Sequence, residues 1–166
     1  MKTIILGIGN PILGDDGIGV HVARKLKEKQ NSLQNITIDE AQTGGMNLLD
    51  MIRGYDKAIL IDAVCIHGAT HGVIKRLSMH NMPTIHSCNP HDVSLLEALE
   101  VAKKIEDDNL PKEIVIIGIN LKTIPLEFNE SLSPQIAAVI PQAMNMVLSE
   151  LNNETTKDNN VIQKGS

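Results

Sequence analysis

The chain has 166 residues, 42% of them hydrophobic and 21% charged, with a formal net charge of −5. That balance fits one soluble globular domain with a sizeable core, and it offers no basic footprint for a polyanion such as nucleic acid. With one Phe, one Tyr and no Trp, the core must be built from Ile, Leu, Val, Met and Ala, and base stacking on aromatic platforms is excluded.

In chain order, residues 2–6 read as a short apolar strand. The opening MKTIILGIGN is too short in apolar residues for a signal peptide, and no run approaches the roughly 20 apolar residues of a membrane span. Residues 17–29 carry Ile18, Val22, Ala23 and Leu26 at helical spacing, with charged residues elsewhere. NITID at 35–39 alternates like a strand, and MNLLDMI reads as a short helix between the turn at Thr43 and Gly44 and a stop at Gly54. KAILIDAV at 57–64 is a buried strand, and 72–77 is a weaker one after the turn HGATHG. Residues 78–90 read as an irregular loop, 92–105 as a helix and EIVIIGI at 113–119 as the last strong strand. A closing helix spans 133–151, with Ser133 and Pro134 at its N-cap and first position. The expected organisation is a single domain over 1–151, followed by a polar tail at 152–166 expected to be disordered.

Strands alternating with helices, the strands continuously apolar, imply an α/β sandwich around a mostly parallel sheet. Ligand sites in such folds form outside the carboxyl ends of the strands. That rule selects the loop GIGNPILGDDGIG after the first strand, Asp39 and Glu40 after the second, Asp62 near the end of the third, and the loop at 84–91.

The opening loop starts like a dinucleotide fingerprint with Gly7 and Gly9, but the next glycine is Gly14 and no Lys-Ser/Thr follows. Asp15 and Asp16 stand where a phosphate would sit and would repel it. One aspartate suffices to cap the helix, a role that suits Asp15, so Asp16 needs another reason to be there. Asp62 is the sole polar residue of its strand after Lys57; it either caps a neighbouring loop or serves as a ligand or acid–base group. His91 opens the helix NPHDVSLLEAL, with His86 as its rival. Two carboxylates and an imidazole from separate loop ends suit a borderline divalent metal, although no H-E-x-x-H motif is present. Cys65 and Cys88 are far apart, without CxxC spacing. They read as reduced thiols of a cytoplasmic protein, and a small apolar thiol is a commoner role for them than a nucleophile.

The segments GIGNPILGDDGIGVHVARKL, TGGMNLL, ILIDAV and NPHDVSLLEAL, in this order from Met1 to about Leu151, resemble the hydrogenase maturation endopeptidases. The resemblance implies a three-layer α/β/α fold around a five-stranded sheet. It also implies an activity: removal of the C-terminal extension of a nickel–iron hydrogenase large-subunit precursor after nickel insertion. By motif, the metal-contacting and catalytic positions fall on Asp16, Asp62 and His91. Glu40 matches the position where relatives often carry Asp, so Glu40, Thr43 and Gly44 are expected to contact substrate. Nickel is then the cofactor implied, carried in by the precursor, which is the expected partner, and held weakly by the free protein. The alternative is a non-proteolytic metal- or nucleotide-binding assembly factor.

Overall fold

The computed structural model describes residues 1–29, 35–42, 45–78, 86–87, 100–102, 104, 107–123 and 128–162, without the side chains of residues 46, 86–87 and 153–162. Its strands are β1 (Thr3–Ile8), β2 (Ile36–Ala41), β3 (Lys57–Cys65), β4 (Ile74–Ser78), β5 (His86–Ser87) and β6 (Glu113–Asn120). The helices are α1 (Ile18–Lys29), α2 (Gly45–Ile52), α3 (Pro134–Ala137) and α4 (Ile140–Ile162). A 3-10 turn, Gly14–Gly17, leads directly into α1.

The main sheet has the order β2-β1-β3-β6-β4. β1 pairs in parallel with both β2 and β3, and β3 pairs in parallel with β6. β4 runs antiparallel on β6, and the two-residue β5 runs antiparallel beside Val64 and Cys65. This is the expected α/β sandwich around a mostly parallel five-stranded sheet, with β5 as an added short strand inside the segment read as irregular loop.

Strand periodicity divides the core between two faces. On one face Ile4, Leu6, Leu60 and Ile116 pack with Leu48, Leu49 and Ile52 of α2 and with Ala102. On the other, Ile5, Ile59, Ile61 and Ile117 pack with Ile18, Val22 and Leu26 of α1 and with Ala143 and Val147 of α4. The α1 stripe predicted from spacing is buried throughout, each large aliphatic side chain contributing about 1.5–3 kcal/mol of transfer free energy.

The closing helix is two helices. Ser133 is the N-cap as expected, its Oγ accepting from Ile136 N, but α3 stops at Ala137 and α4 starts at Ile140. Pro141 explains the break, since its ring excludes the carbonyl four residues earlier, that of Ala137, and it has no N–H to donate. α4 then continues to Ile162, past the expected end at 151 and into the segment expected to be disordered. No Gly or Pro stands between Gln142 and Ile162 to stop it.

The amino end of β3 is tied to α4. Lys57 is 2% exposed, with its Nζ 3.4 Å from Glu113 Oε2 and 3.7 Å from Glu150 Oε2. Arg76 of β4 also pairs with Glu150. This network sits at the end of the sheet opposite the carboxyl edge. Among the described residues, no helix is long and apolar enough to cross a membrane.

Candidate active site

Chain direction reverses across β1. From β1 the chain passes through α1 to β2 on one side, then through α2 to β3 on the other. The loops leaving β1 and β3 therefore meet at a topological switch point, the usual crevice of an open α/β sheet. Asp16 lies in the loop leaving β1 and Asp62 towards the end of β3.

Close backbone approach builds this crevice. A side chain on Gly19 would place its Cβ 2.1 Å from Ile61 O and 2.4 Å from Ile8 O. Only a glycine lets the first turn of α1 rest against the ends of β1 and β3. Gly9 has a φ of +132°, and a Cβ there would fall 2.0 Å from Asp16 O. These glycines bring the Asp16 backbone against the end of β1, a different purpose from cradling a phosphate.

Asp16 is 6% exposed, and its Oδ2 accepts a hydrogen bond of 2.9 Å from Asn10 N. The Asn10 amide of the loop is thus taken by a carboxylate rather than left for an anion. Asp62 is half-buried, whereas Lys57 through Ile61 before it are buried. By alternation it shares the sheet face of Leu60 and Val64, the face covered by α2 and Ala102.

Asp15 does not cap a helix. The cap position of the 3-10 turn is Leu13, with no side-chain cap bond, and Asp15 lies within the turn. Its Oδ1 instead accepts from Ser133 N at 2.6 Å. Two backbone bonds reinforce the contact: Gly14 N donates to Asn129 O and Asn129 N to Ile12 O. The glycine loop is thereby joined to residues 128–133, a connection across 118 positions that no local pattern signals.

Glu40 ends in a bidentate pair with Arg24 of α1, at 3.0 and 2.8 Å. His21, one helical turn before Arg24, has a buried Nε2 with no hydrogen-bond partner among the described residues. Burial chiefly, then the Arg24 charge, lowers its pKa below 6.5, with Glu40 opposing. His91, Thr43 and Gly44 lie outside the described residues. Among the described residues, no group of three His, Cys, Asp or Glu side chains is placed to hold a metal ion.

Two features escaped the sequence reading. Asn120, at the end of β6 and 1% exposed, accepts from Ile66 N at 2.7 Å and donates to Ala69 O and Thr70 O at 3.1 and 3.0 Å. It shapes the loop after β3 that borders an open depression of about 610 Å³. Its signal was a polar residue ending an apolar strand, the same signal that marked Asp62. The second is Cys65, which is disulfide-bonded, overturning the expectation of reduced thiols. Sequence separation conceals that antiparallel β5 returns beside Cys65. The chain's other cysteine, Cys88, lies outside the described residues. The cysteines therefore give no argument for a reducing compartment.

The family model for hydrogenase maturation protease matches residues 20–150. The hydrogenase 2 maturation protease of Escherichia coli is 27% identical over 91% of this chain and 91% of its own length. A putative hydrogenase maturation protease of Methanocaldococcus jannaschii is 31% identical over 89% of this chain and 95% of its own. Among solved structures, the hydrogenase maturating endopeptidase HybD of E. coli superposes with a TM-score of 0.80 at 25% identity, covering 93% of this chain and 94% of that one. The maturation protease HybD of Thermococcus kodakarensis, 23% identical, shares the fold with a TM-score of 0.68 over 90% and 98% of the two chains. The chain belongs to the hydrogenase maturation protease family and is a peptidase.

Proposed function

We propose that this endopeptidase removes the C-terminal extension of a nickel–iron hydrogenase large-subunit precursor after nickel insertion, and that Asp16, Asp62 and His91 recognise the nickel the precursor carries. The observation that carries the reading is the switch-point crevice, where glycine packing sets the Asp16 loop against the end of the strand bearing Asp62. Carboxylate oxygens and an imidazole nitrogen suit a borderline divalent ion. With nickel as part of the substrate, such a donor set lets the protein distinguish loaded from empty precursor. When bound, the ion supplies Lewis-acid polarisation.

In this scheme the protein's own residues orient the scissile segment and manage the proton. Water adds to the peptide carbonyl carbon and the C–N bond breaks. A carboxylate at the edge takes the proton from water and passes it to the leaving amine. Glu40, near the carboxyl end of β2, and Thr43 and Gly44 after it in the chain contact the substrate. The large-subunit precursor is the partner, and neither nucleic acid nor membrane takes part.

Asp16→Asn tests the assignment. Asn keeps an oxygen able to accept from Asn10 N, so the fold should stand, while processing of the precursor falls at least about 100-fold, the usual scale for a proton-transfer group. Folding is checked by circular dichroism and turnover by intact-mass spectrometry. Processing within a few-fold of wild type would remove Asp16 from the site. A wild-type protein that binds precursor without shortening it would favour the assembly-factor reading.

A further inference from the structure

Phe128 is the only phenylalanine of a nearly aromatic-free chain, and it is 84% exposed, more than any other large apolar side chain among the described residues. Ile12, 42% exposed, lies on the backbone beside it. Asn129 N donates to Ile12 O at 2.9 Å, Gly14 N donates to Asn129 O at 2.6 Å, and Leu13 and Asn129 form a parallel bridge. Asp15 Oδ1 accepts from Ser133 N, and Asn129 Oδ1 closes its own turn on Ser131 N.

A scattered exposed aliphatic residue needs no explanation. Here two exposed apolar residues stand on two segments hydrogen-bonded to each other, Ile12 on the loop that also bears Asp16 and Phe128 next to Asn129 on the segment bound to that loop. That loop is closed by the bond from Asn10 N to Asp16 Oδ2. A side chain whose backbone is already ordered loses little freedom on binding, and aromatic anchors dominate interface energetics.

We propose that Ile12 and Phe128 form the docking contact for the large-subunit precursor, receiving an apolar patch beside its scissile segment. The inference rests on the reading of Asp16 as a residue of the cleavage site. Ile12 and Asp16 share one loop, so a protein substrate that brings a peptide bond to Asp16 has its flanking surface next to Ile12, and this continuity identifies the occupant. A small-molecule substrate would leave the rim untouched.

The test is a biosensor titration of purified nickel-loaded precursor against wild type, Phe128→Ser, Ile12→Ser and the conservative Phe128→Leu, with cleavage followed in parallel by mass spectrometry. Each serine variant should weaken precursor binding about tenfold, with unchanged thermal stability, and Phe128→Leu should recover most of the loss. Unchanged binding by the serine variants, with wild type still cleaving, overturns the docking contact and leaves the peptidase reading intact. Wild-type binding that Phe128→Ser weakens, with no cleavage by wild type, supports the contact and defeats the cleavage reading. A wild-type dimer that Phe128→Ser converts to monomer in sedimentation, with precursor binding unaffected, overturns the proposal in favour of a second copy of the chain.

Discussion

At Gly19 a single hydrogen atom decides whether α1 can rest against the ends of β1 and β3. A methyl group there would overlap Ile61 O and Ile8 O, both backbone atoms that have no rotamer to escape into. Gly19→Ala should therefore cost at least about 2 kcal/mol of stability, measured by urea unfolding, because overpacking against backbone forces α1 away from the sheet. His21 gives a pH prediction. Its pKa lies below 6.5 in the folded protein, so the unfolded chain binds the proton first as pH falls, and stability is lost below about 6.5 until the folded-state value is passed. His21→Gln should lose less stability than wild type between about pH 7.5 and about pH 5.5, read from urea midpoints. An equal loss in both proteins would show that other groups account for the fall. Gly19 reads in the sequence as one glycine of the loop, and nothing in the helical spacing of residues 17–29 singles out His21. What distinguishes them is the atoms opposite, and these belong to other strands.

The elements themselves were largely legible, because apolar spacing reports burial. Ile18, Val22, Ala23 and Leu26 are all buried on α1, and the continuous run from Lys57 is buried until Asp62. Errors fell where long-range pairing or one backbone group overrode the pattern. Asp15 bonds Ser133 rather than its own helix, Pro141 divides the closing helix, and β5 pairs with β3 from within an apparent loop. The connection after β3 depends in the same way on Asn120 of β6, which holds one amide and two carbonyls of that loop. Asn120→Ala should destabilise the protein by about 2 kcal/mol, since one amide and two carbonyls of the loop lose their bonds together. Hydrogen exchange at Ile66 should rise selectively, and an unchanged Ile66 amide would show that the loop is held by other contacts. Asn120→Asp is the informative companion, keeping the acceptor for Ile66 N while losing the donors to Ala69 and Thr70.

Over the whole molecule, ion pairs gather at one end of the sheet and the residues proposed for chemistry at the other. Lys57, Glu113, Glu150 and Arg76 bind the amino end of β3 to α4 and β4. The carboxyl end gathers Asp16, Asp62, Glu40 and Asn120. Strand order could not be read from one sequence, yet the rule that sites form at carboxyl strand ends selected Asp16 and Asp62 before the topology was known. The metal and the protein nature of the substrate were beyond that rule, because carboxylates bind many cations; both came from resemblance. Under the proposed function, cleavage is gated by the nickel a precursor carries. It is tested most directly by intact-mass spectrometry of a nickel-loaded large-subunit precursor incubated with this protein, beside the same precursor without metal. Loss of a C-terminal peptide from the loaded sample alone is the expected result. Equal loss from both would contradict nickel recognition, and no loss from a folded, loaded, cognate precursor would contradict the cleavage itself.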